Sequence, residues 1–169
     1  IIATPVFCKG RVYLAIGQDP AHGKGIGLLH CIDAAGTGDI TTSGCVWKYD
    51  GIQRSVSTVA VADGLVYAPD IAGRLHCLDA DTGRCLWTFD TGHETWGSTL
   101  VADGKVYVGT RRGDFWILAT GREKRVLSSV QLDSPVDSSV IAANGTVYVG
   151  SMTRLYALQQ GTQGKGIEK

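Results

Sequence analysis

The sequence predicts an all-β chain that forms part of a β-propeller, with four consecutive four-stranded antiparallel blades and no outer strand in the last. Three observations lead to this prediction. A turn motif that ends in Val-Tyr recurs, runs of β-forming residues alternate with tight-turn signals, and a second motif recurs around Trp47 and Trp87. A repeat of about forty residues with four strands per unit is typical of propeller blades.

The Val-Tyr motif sets the register of the repeat. It follows two-residue turns that end at Gly64, Gly104 and Gly145, and in a weaker form one that ends at Gly10. Asp-Gly or Asn-Gly between two β-rich runs is the strongest short-range hairpin signal, so these glycines are predicted to be structural. Successive motif tyrosines are 54, 40 and 41 residues apart, at Tyr13, Tyr67, Tyr107 and Tyr148.

The first two blades follow directly from this register. Blade 1, residues 1–50, is the longest because it carries two insertions, a glycine-rich loop at 17–27 and a second loop between Asp33 and Trp47. Blade 2, residues 51–90, has the complete pattern of four β-rich runs. Loops inserted on a rigid scaffold are where binding functions are often found.

The last two blades depart from the pattern. Blade 3, residues 91–133, has no tryptophan at the position of Trp87. Blade 4, residues 134–158, has three β-rich runs, and the polar residues 159–169 are predicted to form a disordered tail. The outer strand of blade 4 is therefore expected to come from elsewhere.

Composition narrows the function classes. The chain has 169 residues, 23 of them glycine, and a net charge of zero, which argues against nucleic acid or an anionic membrane surface as the main partner. No apolar run is long enough for a membrane-spanning helix. Since the chain begins with Ile and shows no secretory signal, we expect it to be an excised or processed piece.

The second motif, L-D-A-D-T-G-R-C-L-W at Leu78–Trp87, resembles the tryptophan-docking motif of PQQ-type (quinoprotein-like) propeller repeats. Within that family the chain most resembles the planctomycete-type PQQ-binding-like repeat proteins, in Gly17-Gln18-Asp19-Pro20-x-His22-Gly23. The resemblance implies that Trp47 and Trp87 anchor one blade to the next. It also implies a bacterial, periplasmic or otherwise exported protein, in a ring of seven or eight blades.

Four blades then correspond to the C-terminal half of such a ring. The expected partner is the remaining half of the propeller or a separate protein. An isolated half would expose an apolar blade face at each end, so we expect it to form a homodimer, to aggregate, or to exist only within a longer chain.

Three functions are compatible with this family. The sequence favours a non-catalytic propeller scaffold for protein or ligand binding over the C-terminal half of a quinone-dependent dehydrogenase or a sensor module of a signalling protein. The dehydrogenase would need PQQ and a Ca²⁺ ion held by carboxylate and amide oxygens. The family's adjacent Cys-Cys pair does not occur here, and the single asparagine, Asn144, belongs to a hairpin turn. We therefore expect no cofactor and assign no catalytic residue.

Candidate binding residues collect at one face of the propeller, where connections from neighbouring blades meet. Arginine and aromatic side chains dominate recognition sites, and this face is expected to bring such residues together with carboxylates, Asp70 and Asp137 among them. The candidate ligand-binding residues are Glu94, Trp96, Arg111, Arg112 and Arg54. Asp19 and His22 are weak candidates for metal ligands, because two ligands without a third rarely make a site.

Overall fold

The computed structural model describes residues 3–18, 21 and 25–159. Within these residues, fifteen β-strands form four antiparallel sheets, three of them with four strands and one with three. The strands of each sheet follow one another in chain order, so every sheet is a simple meander. The predicted fold class, a partial propeller whose last blade lacks its outer strand, is confirmed.

Each blade corresponds to one sheet. Blade 1 contains β1 (Val6–Cys8), β2 (Arg11–Gly17), β3 (Gly27–Asp33) and β4 (Cys45–Tyr49). Blade 2 contains β5 (Ala60–Ala62), β6 (Leu65–Pro69), β7 (Arg74–Asp79) and β8 (Cys85–Asp90). Blade 3 contains β9 (Leu100–Ala102), β10 (Lys105–Gly109), β11 (Asp114–Ala119) and β12 (Val126–Gln131), and blade 4 contains β13 (Ile141–Ala143), β14 (Thr146–Gly150) and β15 (Leu155–Gln159).

The end of β15 differs slightly from the prediction. This strand includes Gln159, whose side-chain amide donates a hydrogen bond to the Thr146 hydroxyl at 2.7 Å. Blade 4 thus extends one residue beyond its predicted boundary at residue 158. The rest of the predicted tail, 160–169, lies outside the described residues, as do the weak metal candidates Asp19 and His22. No described segment forms a helix of the length and apolarity needed to cross a bilayer.

The hairpins that join the first two strands of each blade have the predicted geometry. In blade 2, Asp63 and Gly64 both have positive φ angles, 51° and 74°. Asp103 and Gly104 in blade 3 repeat this pair with 49° and 65°. Two consecutive left-handed residues define the type I′ turn, whose twist matches that of the flanking strands.

A tryptophan joins blade 1 to blade 2. The indole N–H of Trp47 in β4 donates to the carbonyl of Ala80 in the next blade at 2.9 Å, and the Tyr13 hydroxyl donates to the same carbonyl at 3.3 Å. The two rings lie 6.0 Å apart. Trp47 also belongs to a hydrophobic cluster that includes the completely buried Val66 and Leu78 of blade 2.

Blade 2 is joined to blade 3 in the same way. The indole N–H of Trp87 donates to the carbonyl of Gly121 at 3.0 Å, while the N–H of Gly121 donates to the Tyr67 hydroxyl at 2.9 Å. This interface buries Val106 and Leu118 completely. Each of the two tryptophans thus donates its indole N–H to a carbonyl of the next blade.

The repeated cysteines belong to this packing. Cys31 and Cys77 lie opposite Trp47 and Trp87 in their sheets and are completely buried. All five cysteines are free thiols, and burial raises the pKa of Cys77 to about 12. A thiol held protonated in this way acts as a small apolar side chain.

Candidate functional site

The candidate residues lie mainly on connections at one end of the strands. These are the β8–β9 connection, the β10–β11 turn and the β12–β13 connection, which emerge at the same side because adjacent strands run in opposite directions. We call this surface the upper face and define it by residues 91–99, 110–113 and 132–140. The opposite end, the lower face, carries the type I′ turns.

Arg111 is the centre of the upper face. The carbon of its guanidinium group lies 4.2 Å from the centroid of the Trp96 ring, in cation–π geometry. One nitrogen, Nη1, is 3.6 Å from a carboxylate oxygen of Glu94, and Nε is 3.4 Å from an oxygen of Asp137. The cluster thus joins Arg111 to residues of blades 3 and 4 and contains two carboxylates for one arginine.

Backbone contacts position this cluster. The N–H of Arg111 donates to the carbonyl of Glu94 at 2.8 Å, which holds the β10–β11 turn against the β8–β9 connection. The carbonyl of Trp96 accepts a hydrogen bond from the Ser57 hydroxyl of blade 2 at 3.1 Å. The Trp96 backbone is therefore tied to blade 2, while its indole stacks on Arg111 of blade 3, as expected for a rigid recognition residue.

The cluster keeps capacity for a further partner. Trp96 is 41% exposed, which is high for so large an apolar side chain. Within the described residues, Nε of Arg111 and Oδ1 of Asp137 form an ion pair by distance, yet neither atom makes a well-aligned hydrogen bond. Both of these atoms are themselves buried, so the accessible part of the cluster is the indole of Trp96 and the half-exposed side chain of Arg111, which can contact an aromatic or polar side chain of another molecule.

The other two candidates lie apart from this cluster. Arg112 is exposed, and its carbonyl accepts a hydrogen bond from the Gln131 side chain at 2.7 Å. Arg54 lies one blade earlier, where its carbonyl accepts the N–H of Ile71 at 3.0 Å, as the carbonyl of Glu94 does for Arg111. The structure thus brings together three of the five candidates, and Asp137 joins them.

A buried network supports the neighbouring turn of blade 2. We expected Asp70 on the binding face, but its carboxylate is buried and accepts hydrogen bonds from the N–H of Gln53 at 3.1 Å, that of Arg74 at 3.0 Å and Nε2 of His76 at 3.0 Å. Nδ1 of His76 lies 3.2 Å from the Tyr49 hydroxyl. Burial opposes ionisation of Asp70, but these hydrogen bonds outweigh it and lower the pKa of the carboxyl. Asp70 is therefore a structural residue.

The carboxylates at and near the upper face are held by basic side chains. In the described part of the chain, no three His, Cys, Asp or Glu side chains lie close enough to hold a metal ion. Glu94 and Asp137 share Arg111, and Asp70 is bound to His76. Ca²⁺ takes six to eight oxygen ligands, usually with several carboxylates among them, and the described residues offer no group of three such side chains.

Comparison with known proteins agrees with the fold. Residues 27–165 match the PQQ_2 family, described as outer membrane protein assembly factor BamB. No curated protein sequence matches the chain significantly. Among solved structures, BamB from Moraxella catarrhalis is 17% identical with a TM-score of 0.70, over 89% of this chain and 43% of BamB. The chain thus spans less than half of that BamB.

Other solved structures with a similar fold include a designed protein and an enzyme. The computationally designed Ika4 protein is 17% identical with a TM-score of 0.72, over 93% of this chain and 89% of Ika4. A europium-containing methanol dehydrogenase is 18% identical with a TM-score of 0.55, over 75% of this chain and 24% of the enzyme. A designed protein and an enzyme share this fold, so the fold does not select a function.

Proposed function

Because this chain belongs to the PQQ-type propeller-repeat family described as outer membrane protein assembly factor BamB, we propose that it is a non-catalytic scaffold that binds a protein partner. The observation that supports the proposal is the stacked Trp96–Arg111 pair on the upper face. Tryptophan and arginine are enriched among the residues that dominate protein interfaces. A rigid aromatic anchor also costs little entropy when it is buried on binding.

The chemistry of the face suggests the kind of partner segment. Glu94 and Asp137 more than offset the single charge of Arg111, and the indole of Trp96 is 41% exposed beside them. A segment that offers an aromatic or aliphatic side chain to Trp96, and a hydrogen-bonding group to Arg111 or Asp137, would complement this face. We also propose that the protein works outside the cytoplasm of a bacterium, as the family description of an outer-membrane assembly factor suggests.

The proposal can be tested with defined peptides. Random peptides displayed on phage are selected on the purified chain, and the enriched sequences are synthesised and titrated by calorimetry. We expect Trp96→Ala and Arg111→Ala each to weaken peptide binding at least tenfold, which is about the loss usually caused by removing one hot-spot side chain. Selection of no binder, or of binders insensitive to both substitutions, would contradict the proposal.

A matched control comes from the next blade. Met152 occupies the turn position equivalent to Arg111, because its N–H donates to the carbonyl of Pro135 at 2.9 Å, and it is 68% exposed. Met152→Ala should leave peptide binding unchanged. A parallel titration with PQQ and Ca²⁺ examines the dehydrogenase alternative, and saturable heat from that titration would argue against a non-catalytic role.

A further inference from the structure

The third interface, between blades 3 and 4, lacks the tryptophan that fills the first two. In β12, Ser128 pairs with Ile117 in the same register in which Trp87 pairs with Cys77. The surface that the indole would cover is nevertheless present, since Val147 and Leu158 occupy the positions of Val106 and Leu118 in the next blade. Blade 4 therefore keeps a docking surface for which blade 3 supplies no tryptophan.

A cavity of about 530 Å³ marks this place. Its apolar lining includes Tyr107, Ile117, Val147 and Leu158, with Ser128 at the position of the missing ring. Val147 and Leu158 are half-buried, whereas their counterparts in the first two interfaces are completely buried. We call this cavity the blade 3–4 groove.

The groove continues an interface that is otherwise well packed. Tyr107, Phe115, Val136 and Val149 form a buried cluster between the two blades, and the half-buried side chains of the groove pack against it. Apolar clefts of 300–1,000 Å³ with a few polar groups are typical of binding sites. The groove is therefore a formed site at the edge of a folded interface.

The outer strand beside the groove is open. β12 is the edge strand of its sheet, and every one of its residues is exposed. Leu127 lines the groove and is 42% exposed. An exposed strand edge binds an extended peptide through backbone hydrogen bonds, while an adjacent pocket takes one of its side chains.

We propose that the blade 3–4 groove binds a tryptophan side chain of a partner protein, carried on an extended segment that runs along the outer edge of β12. The occupant is inferred from the molecule itself. In both intact interfaces the indole lies in one buried cluster with the repeat tyrosine of its own blade and the Val–Leu pair of the next. Tyr107, Val147 and Leu158 reproduce that set in the groove. A tryptophan of a partner protein would fill the third interface as Trp47 and Trp87 fill the first two.

This site is separate from the one proposed above. The groove is lined by the type I′ turns at Asp103 and at Asn144-Gly145, which belong to the lower face. Trp96 and Arg111 lie at the opposite end of the strands. The inference therefore does not rest on the proposed function, and Trp96→Ala should leave binding in the groove unchanged.

The probe is N-acetyl-tryptophanamide, and NMR of the ¹⁵N-labelled 169-residue chain monitors its binding. We expect saturable shifts at the amides of Tyr107, Val147 and Leu158, with a dissociation constant of about 1 mM for so small a fragment. N-acetyl-leucinamide is the matched control and should bind roughly fivefold more weakly, since it buries less apolar surface. A pentapeptide with central tryptophan should bind more tightly than the fragment and also shift the amides of 126–131.

Substitutions in β12 give an independent check. Ser128→Trp should fill the groove from within, abolish the shifts and raise the melting temperature. Ser129→Trp is the control, because Ser129 pairs with Trp116 on the other side of the sheet; it should leave the shifts unchanged. The shift map of the unaltered chain decides the question even if Ser128→Trp fails to fold.

Other occupants would give different results. If residues 160–169 fill the groove, the probe will bind only after truncation at Gln159. If a second copy fills it, the groove amides will shift with protein concentration in the absence of probe. Either result would overturn the proposal, as would the absence of groove shifts at about 10 mM probe, tenfold above the expected constant.

Discussion

Trp47 and Gly83, which belong to neighbouring blades, are in such close contact that a Cβ atom at position 83 would overlap the indole ring. Gly83 also has a positive φ of 71°. The D-T-G turn of blade 2 is thus shaped to receive the tryptophan of blade 1. The contact gives a physical reason for glycine at position 83, where any side chain would displace the indole.

The first prediction concerns this contact. Gly83→Ala should lower the free energy of unfolding by about 2–4 kcal/mol, since over-packing costs about 1–3 kcal/mol and a left-handed alanine about 1 kcal/mol. Gly38→Ala is the control, because Gly38 has the same φ of 71° but no atom within 4 Å of the place that an alanine Cβ would occupy. Urea unfolding of both variants measures the difference, and equal losses would show that the indole contact is unimportant.

A second prediction concerns the buried carboxylate of Asp70. Asp70→Asn should cost about 3 kcal/mol at neutral pH, because the buried histidine and two backbone N–H groups lose a charged acceptor. The exposed Asp50 offers a control, and Asp50→Asn should change stability by less than about 0.5 kcal/mol. Urea unfolding monitored by tryptophan fluorescence provides the free energies.

The lowered pKa of Asp70 predicts that the free energy of unfolding depends on pH. Since folding lowers the pKa of Asp70, its contribution is present above the unfolded-state pKa, about 3.9, and is lost as the pH falls through the folded-state value. The stability difference between the unaltered chain and Asp70→Asn should therefore shrink in acid. A difference that stays constant down to about pH 2 would contradict this account.

A third prediction concerns Asp133, which ties the end of β12 to the β14–β15 turn. Its carboxylate accepts hydrogen bonds from Thr153 at 2.6 Å, Tyr156 at 2.7 Å and Ser151 at 2.9 Å. The hydrogen bonds from Thr153 and Tyr156 in particular hold the pKa of Asp133 well below its usual range. Asp133→Ala should speed hydrogen exchange in the turn at 151–154, and exchange in the type I′ turn of blade 2 should not change.

A fourth prediction separates binding from stability at Arg111. Its ion pairs are partly exposed, so Arg111→Ala should change the free energy of unfolding by less than about 1 kcal/mol. Peptide affinity should nevertheless fall at least tenfold, as is usual when one hot-spot side chain is removed. Arg111→Lys keeps the charge but not the planar group, and should restore little of the affinity. Loss of stability in proportion to affinity would indicate a structural role.

A fifth prediction concerns the outer faces of the terminal blades. Phe7 is 68% exposed on the side of blade 1 that faces away from blade 2, and Leu155 is 73% exposed on blade 4. We expect the 169-residue chain by itself to associate with a second copy through these faces. Sedimentation velocity over a range of concentrations measures this association, and Phe7→Glu should weaken it. A monomer at all concentrations would contradict the expectation.

Local chemistry was enough to predict the blades. Asp-Gly and Asn-Gly determine where the chain turns, and the conformations of Asp63 and Gly64 follow from that pair alone. The family resemblance implied the roles of Trp47 and Trp87, since both stand in the same Cys-x-Trp motif. These features could be recognised because their motifs recur along the sequence.

Relationships between blades could not be predicted in the same detail. The pairing of Arg111 with Asp137 joins two blades, and the distance depends on their relative rotation, which no local pattern encodes. The repeat register placed Asp70 in the correct turn, but register does not show that its side chain is buried. His76, six positions later, is the signal that could have identified its partner. The serine at position 128 was visible in the sequence, but the cavity beside it required the structure.

Blades 1 and 2 each supply a tryptophan to the next interface, and blade 3 does not. This difference also affects which part of the molecule unfolds first. In a repeat protein each unit is stabilised chiefly by its neighbours, so the weakest interface determines which part unfolds first. Blades 1, 2 and 3 are joined by indoles, whereas blade 4 is held by the smaller cluster around Val136 and by the hydrogen bonds of Asp133. Blade 4 is thus the segment that can detach while the other three remain folded. A strand or side chain that binds at the blade 3–4 groove would convert this semi-independent unit into part of a single cooperative whole.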